Sequence, residues 1–149
     1  MREGFTNTLK EVMDTAQHEA RQHRQEYVST EALFLSVISC HNCEAAGILR
    51  QAKLDSKALR EFVSRSMPTA NEEPVVTGDL PLTPKAQRMI QGAIVKAQAL
   101  REPKISTRHL LLSLLDDPQT AIREALNAVT GDVNVLRHAL VDSPDEEEE

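Results

Sequence analysis

The sequence predicts an all-α protein in which two pseudo-symmetric four-helix repeats pack into one eight-helix domain. Three observations predict this fold. Helix-favouring residues (Ala, Leu, Gln, Glu and Arg) are abundant, whereas strand formers are few and aromatic residues make up only 3% of the chain. Apolar residues recur at helical spacing in both halves. The 149-residue chain also repeats itself, and a half of about 60 residues has little core of its own.

The internal repeat becomes visible when the sequence is displaced against itself by 77 positions. Residues 5–65 then align with residues 82–142 without a gap. Cap positions and core positions match together, so we interpret the repeat as a duplication. The identical pairs include Thr6/Thr83, Ala16/Ala93, Ser29/Ser106, Thr30/Thr107, Leu33/Leu110, Leu35/Leu112, Asp55/Asp132 and Arg60/Arg137.

Threonines mark the starts of the first and second helices of each repeat. Thr6 and Thr83 are predicted N-caps of the first helices, and Thr30 and Thr107 of the second, because a threonine hydroxyl accepts a hydrogen bond from a first-turn amide. Pro84 suits the first helical position. The apolar stripes of the first helices are Leu9, Val12, Met13, Ala16 and Ala20 in one repeat, and Ala86, Met89, Ile90, Ala93, Ala97 and Leu100 in the other.

Third and fourth helices complete each repeat. Proline, glycine and aspartate at their boundaries are typical helix start and stop signals. The expected elements are a third helix near Glu44–Ala52, a fourth from Asp55, a second-repeat third helix near Gln119–Val129 entered through Asp117-Pro118, and a fourth from Asp132 after Gly131.

The two repeats are separated by a segment rich in proline. Residues 66–81 include Pro68, Pro74 and Pro81, which favours an extended linker over the surface. The predicted organisation is a first repeat over 1–65, a linker over 66–81, a second repeat over 82–142 and a disordered acidic tail over 143–149.

The charge distribution argues against nucleic-acid and membrane binding. The formal net charge is −6, but residues 145–149 supply five of the negative charges, and the rest of the chain has 17 basic and 18 acidic groups. No basic face is evident for a nucleic acid or an anionic membrane. There is no signal pattern and no apolar run of about 18 residues. Together with two cysteines, this predicts a cytoplasmic protein.

The chain carries no pattern typical of an enzyme. Its five glycines are isolated, so no phosphate-binding loop for ATP is present. Its five histidines form no metal-binding spacing, and no nucleophile or carboxylate pair is marked. The sequence therefore predicts a protein that is not an enzyme and needs no cofactor.

Cys40-His41-Asn42-Cys43 is the one local motif that resembles a chemical site, and it leaves a thiol or zinc protein as an alternative from another class. A structural zinc takes about four ligands, and a second cysteine pair is missing. No thioredoxin-like βαβ pattern surrounds the motif. The repeat-equivalent positions are Asp117 and Thr120. An ordinary loop between the second and third helices is the favoured interpretation, with Cys40 and Cys43 as weak metal candidates.

Two duplicated segments carry a resemblance to a known family. They are Tyr27–Leu35 and Lys104–Leu112, and capping explains their threonines but not why the arrangement occurs twice. Over about residues 4–142, the chain resembles the Clp N-terminal domain of the Hsp100 unfoldases of the ClpA, ClpB and ClpC types. The matching signatures are Phe5-Thr6 with Ser29-Thr30-Glu31-Ala32-Leu33, and Leu82-Thr83-Pro84 with Ser106-Thr107-Arg108-His109-Leu110-Leu111-Leu112.

The resemblance implies a non-catalytic module that binds substrates or adaptors for an ATP-driven unfoldase feeding a protease. The implied partners are Clp ATPase or protease subunits, adaptor proteins and protein substrates. Full family members continue into ATPase modules, which are not found in this sequence, so it is expected to be an isolated N-domain or a stand-alone protein. The second expectation is a stand-alone accessory or regulatory subunit that docks on the Clp protease complex.

The resemblance also implies ligand-binding residues. In ClpC-type members each repeat can bind phosphoarginine, and by position the first pocket would use Thr6 and Glu31. The second would keep Thr83 but has Arg108 where the carboxylate belongs, so that this pocket is expected to be lost or altered to prefer an anion. Ala32 also replaces the commoner histidine.

Overall fold

Helices account for all the regular elements in the part of the chain that the structure, a computed structural model, describes: residues 4–67, 78–116, 121–129 and 132–142. This confirms the predicted all-α fold of two four-helix repeats. The central part of the expected linker, Asp117-Pro118, Gly131 and the acidic tail lie outside the described residues. The helices are α1 Asn7–Gln22, α2 Thr30–Ser39, α3 Glu44–Gln51, α4 Ser56–Ser66, α5 Pro84–Ala99, α6 Thr107–Leu115, α7 Ala121–Ala128 and α8 Val133–Asp142.

The predicted caps of α1 and α5 are confirmed. The Thr6 hydroxyl accepts the N–H of Leu9 at 3.1 Å, and the Thr83 hydroxyl accepts that of Ala86 at 3.0 Å. Asp132 likewise accepts first-turn amides of α8, as Asp55 does for α4. Each hydroxyl or carboxylate satisfies a donor that has no partner inside its helix.

The predicted caps of α2 and α6 are wrong by one residue. Ser29 and Ser106 are the N-caps, and the threonines that follow are the first helical residues. Serine and threonine cap almost equally well, so a Ser-Thr pair does not itself decide which of the two lies outside the helix. With the serine in the cap, the Thr30 hydroxyl is directed to Glu31 and the Thr107 hydroxyl faces the N–H of Ala45 at 3.5 Å.

Both repeats contribute to one continuous hydrophobic core. Helices α2 and α6 lie at its centre, because apolar side chains cover most of their circumference, and α1 and α5 pack against them. Gly92 allows close approach of α5 to α6: a Cβ atom there would lie 2.3 Å from the Ser113 hydroxyl oxygen. The fully buried residues of the two central helices include Leu33, Phe34, Leu35, Leu110, Leu111 and Leu114.

Short backbone pairings cross from one repeat to the other. The N–H of Thr6 donates to the carbonyl of Ile105 at 2.9 Å, and the N–H of Ile105 donates to Gly4 at 2.8 Å. By the same pattern, the N–H of Thr83 donates to Val28 at 3.0 Å. These parallel bridges are related by the same 77-residue displacement as the sequence repeat, since they join Phe5 to Ile105 and Val28 to Leu82. The start of each first helix is therefore fixed to the segment before the other repeat's second helix.

No single helix among the described residues is long and apolar enough to cross a membrane, although α2 and α3 pass that test together as a pair bent by 76°.

Candidate functional site

The crossed pairings create two pseudo-equivalent surfaces at helix starts. The first, which we call the α2–α5 surface, comprises Val28, Glu31, Leu82 and Thr83. The second comprises Phe5, Thr6, Ile105 and Arg108, and we call it the α1–α6 surface by analogy, although Phe5, Thr6 and Arg108 are buried. Sequence reasoning placed Thr6 with Glu31 and Thr83 with Arg108, within repeats. The backbone bonds instead tie Thr83 to the segment that leads into Glu31, and Thr6 to the segment that leads into Arg108.

The α2–α5 surface presents a carboxylate at a helix start. Glu31 is half-buried in the first turn of α2, and the Thr30 hydroxyl donates a hydrogen bond to its Oε2 at 2.8 Å. The positive end of the helix dipole also favours a negative charge at this position. Thr83 is half-buried, and Tyr27, next to the pairing, is 54% exposed. This arrangement can offer an incoming cation an oriented carboxylate at a helix start.

The α1–α6 surface has a different character, because Arg108 is completely buried. Its Nη1 donates to the carbonyl of Leu140 at 2.6 Å, and its Nη2 is hydrogen-bonded to Glu102. Its Nε lies 3.2 Å from a carboxylate oxygen of Glu44, which belongs to the other repeat. The guanidinium is therefore held inside the protein by two carboxylates and a carbonyl. This geometry supports loss of the second pocket better than its conversion to an anion site, and both remain predictions.

His109 completes this buried cluster in a neutral form. Its Nδ1 accepts the N–H of Ser106 at 2.9 Å, so the ring proton belongs on Nε2, which lies 3.2 Å from Glu102. Burial lowers the pKa of His109, and the charge of Arg108 lowers it further, while Glu102 acts in the opposite direction. The histidine occupies the third helical position (N3) of α6 and forms a capping box with the N-cap residue Ser106.

Sequence reasoning missed Glu44 and Glu102 as partners of Arg108. A signal was present in the differences between the repeats. Where the first repeat has Gln25 and Glu31, the second has Glu102 and Arg108. Glu44 in turn has Ala121 as its repeat equivalent. Arg108, Glu102 and Glu44 are thus all absent at their repeat-equivalent positions. A cation that occurs together with two carboxylates is the pattern expected of a paired buried charge.

The cysteine motif forms the loop that joins α2 and α3, as predicted. Cys43 is buried and caps α3, since its Sγ accepts the N–H of Ala46 at 3.4 Å. Burial raises the pKa of the Cys43 thiol to about 12. Within the described ranges, no group of three or more His, Cys, Asp and Glu side chains is arranged to hold a metal ion.

The decisive comparison is with protein families: the model of the Clp repeat (R) N-terminal domain matches residues 4–129 and 81–148. This chain belongs to the Clp N-terminal domain family. The matches cover both repeats, and they confirm the family that the duplicated motifs indicated. A Clp N-domain is a non-catalytic, protein-binding module of Clp ATPases.

Individual relatives agree with this assignment. Chloroplastic ClpC1 of Oryza sativa is 28% identical over 141 residues, which cover 95% of this chain but only 15% of the rice protein. The Hsp104 N-terminal domain of Candida albicans superposes with a TM-score of 0.78 at 17% identity, covering 94% of this chain and 91% of that one. A ClpV N-domain solved in complex with a VipB peptide gives 0.72 at 12% identity, with 93% and 87% covered. At these identities the structural likeness shows the fold.

Proposed function

We propose that this chain recruits protein substrates or adaptors for a Clp ATPase, and that ligands bind at the α2–α5 surface without undergoing a reaction there. Membership of the Clp N-domain family supports a protein ligand. A ClpV N-domain of the same fold has been solved with a VipB peptide, which supports a peptide segment as the recognised unit. The proposed setting is the cytoplasm, with no nucleic acid or membrane as partner, and residues 66–81 and 143–149 act as linker and tail.

The carboxylate of Glu31 is the observation that carries the proposal. A carboxylate can bind a guanidinium through two parallel hydrogen bonds, and the amides of a helix start favour a phosphate. Thr30 holds one carboxylate oxygen in place, so that less side-chain freedom is lost on binding. The ligand class that fits is a protein segment bearing a guanidinium, and phosphoarginine is the variant that would use both features, with Thr83 at the edge of the site.

Affinity capture from a lysate of the source organism tests the recruiting role. The tagged chain is compared with Glu31→Ala and with a matched control, Glu61→Ala, which removes an exposed carboxylate on α4. We expect Clp subunits together with a set of client proteins that Glu31→Ala loses and Glu61→Ala retains. Recovery of protease subunits by all three proteins, with no Glu31-dependent clients, would favour the accessory-subunit alternative. Recovery of neither Clp subunits nor Glu31-dependent client proteins would contradict the recruiting role.

Calorimetric titration tests the ligand class. We expect a peptide containing phosphoarginine to bind more tightly than the same peptide with arginine, and one with phosphoserine to bind least. Glu31→Ala should weaken binding of the first peptide about tenfold or more, because it removes a charge-assisted hydrogen-bond pair. Equal affinity of wild type and Glu31→Ala would show that the ligand does not use this carboxylate.

A further inference from the structure

The loop between α2 and α3 carries two thiol groups, and the recruiting role makes no use of them. Cys40 is the C-cap residue that follows α2, and Cys43 is the N-cap residue that precedes α3. The Cys43 thiol lies 4.0 Å from the carbonyl oxygen of Cys40, and the Cys40 thiol donates to the side chain of Asn42 in the same loop. Both cysteines are unpaired by any disulfide. A Cys-x-x-Cys spacing therefore places both sulfurs on one short loop.

Helix capping does not explain why sulfur is present at Cys43. Its Sγ is a weak acceptor for the N–H of Ala46 at 3.4 Å, whereas Ser, Thr, Asp and Asn are the residues that cap strongly. Threonine stands at the repeat-equivalent position, Thr120, and aspartate at the equivalent of Cys40, Asp117. The sequence of the second repeat therefore has oxygen-bearing side chains at both equivalent positions, so cysteine is not a shared feature of the two repeats.

The two thiols differ in access to solvent. Cys40 is half-buried, its thiol donates to the Asn42 side chain at 3.1 Å, and the neighbouring His41 is exposed. Cys43 is only 3% exposed, and its thiol faces the carbonyl of Val37 at 3.6 Å. Burial raises the pKa of the Cys43 thiol to about 12, so that little thiolate is present there to attack a hydroperoxide directly. The geometry thus distinguishes an accessible thiol that reacts first from a shielded thiol beside it.

We propose that Cys40 and Cys43 form a reversible disulfide when the protein meets a small hydroperoxide, so that this loop is a redox modification site. The Cys40 thiol releases its proton, and its sulfur attacks one oxygen of the hydroperoxide. The O–O bond breaks, a sulfenic acid forms, and the leaving oxygen takes up the released proton and departs as an alcohol, or as water when the oxidant is hydrogen peroxide. The Cys43 sulfur then attacks the sulfur of the sulfenic acid, the S–O bond breaks, and water leaves with the Cys43 proton. Together the two thiols lose two electrons, and the O–O bond of the hydroperoxide gains these two electrons.

The modification site adjoins a contact between the repeats. Glu44, directly after Cys43, lies 3.2 Å from the buried Arg108, and the N–H of Ala45 faces the Thr107 hydroxyl. A disulfide removes the Cys43 S–H donor to Val37 and ties the end of α2 to the start of α3. Oxidation should therefore change the hydrogen-exchange rate of the Ala46 amide, whose partner is the Cys43 sulfur.

Treatment of the full chain with hydrogen peroxide, followed by intact-mass measurement and trapping with dimedone, tests this proposal. The wild type should lose about 2 Da and regain it with dithiothreitol. Cys43→Thr, which copies the equivalent residue of the second repeat, should instead accumulate a dimedone adduct on Cys40. Cys40→Ser should react at least about tenfold more slowly than the wild type, because its remaining thiol is buried.

The contrary results are equally distinct. If the wild type gains oxygen without losing two hydrogens, or if both thiols remain available to alkylation after unfolding, the disulfide does not form. If Cys40→Ser oxidises as fast as the wild type, Cys40 is not the thiol that reacts first. Either result overturns the proposal and leaves the recruiting role unaffected.

Discussion

The α2–α5 and α1–α6 surfaces have the same backbone and opposite chemistry. Both contain a threonine cap, a crossed parallel bridge and a Ser-Thr helix start. One presents the half-buried carboxylate of Glu31, and the other encloses the guanidinium of Arg108 between carboxylates. Caps and bridges satisfy backbone groups, which the fold requires in both copies. The side chain after the threonine is free to diverge, and the comparison therefore separates residues kept for folding from residues that we propose set ligand binding.

A second pair of equivalent positions shows the same divergence in a structural ion cluster. In the first repeat, Arg60 bonds the buried Glu19 at 2.7 Å and also contacts Ser39. In the second, the equivalent of Ser39 is Asp116, which accepts from Lys96 at 2.8 Å and from Arg137 at 3.0 Å. The residue that makes both contacts is an arginine in the first repeat and an aspartate in the second. In both repeats these contacts connect the equivalent helices.

Replacing Arg108 should have the largest effect on stability. Arg108→Ala leaves the carboxylates of Glu102 and Glu44 without their buried partner, which should cost about 3 to 5 kcal/mol in the free energy of unfolding. The equivalent change, Glu31→Ala, should cost less than about 1 kcal/mol, because that carboxylate is only half-buried. Urea denaturation of both variants measures the difference. Similar losses in the two proteins would mean that the two surfaces are alike after all.

The ion clusters should give a smaller contrast. Glu19→Ala removes a side chain that is 6% exposed and leaves the Arg60 guanidinium unpaired at that point, so we expect a loss of about 1 to 3 kcal/mol. Lys96→Ala, at the equivalent position, should cost at most about 1 kcal/mol, because Lys96 and Asp116 are 37% and 44% exposed. Thermal unfolding monitored by circular dichroism checks the order. A larger loss from Lys96→Ala would contradict it.

The smallest expected effect is on the pH dependence of stability. Because the pKa of His109 is lowered in the folded protein, the unfolded chain binds the proton more readily. The stabilising contribution is therefore complete above the ordinary histidine pKa of 6.5 and is lost as the pH falls from there towards the lowered value. The equivalent first-repeat residue, Ala32, makes no such contribution.

His109→Gln tests this dependence while preserving an acceptor for the Ser106 amide. The free energy of unfolding of this variant should change less between pH 7.5 and 5.5 (pH values chosen to bracket about 6.5) than that of the wild type. His18→Gln, at an exposed position on α1, serves as the control and should follow the wild type. If the free energy of unfolding of His109→Gln depends on pH as strongly as that of the wild type, a group other than His109 causes this pH dependence.

The sequence predicted the helices well because their signals are local. The stripes of α1 and α5, and the caps Thr6, Thr83, Asp55 and Asp132, depend on residues within one or two turns. The caps of α2 and α6 were displaced by one residue because Ser29 and Thr30 are both good caps. The family followed from a longer pattern, repeated twice with the same spacing, which a chance match does not reproduce.

The details of the candidate site could not be predicted in the same way. The pairing of Thr83 with Val28 and the burial of Arg108 depend on contacts between distant segments. Arginine at a helix start is normally exposed, and its burial here is compensated by Glu102, by the carbonyl of Leu140 and by Glu44 from the other repeat. The roles of Thr6, Glu31, Thr83 and Arg108 in ligand binding therefore remain predictions, and the proposed titrations test that of Glu31.

The crossed bridges also constrain how such a protein could have originated. Phe5 pairs with Ile105 and Val28 with Leu82, so neither repeat contains both sides of its own pairing. A single ancestral copy would have found these contacts only in a second molecule, related to the first by a two-fold axis. Gene duplication would then have joined the two subunits of a symmetric dimer into one chain. Once covalently joined, the halves no longer had to match a copy of themselves, and one of them could bury an arginine where the other kept a carboxylate.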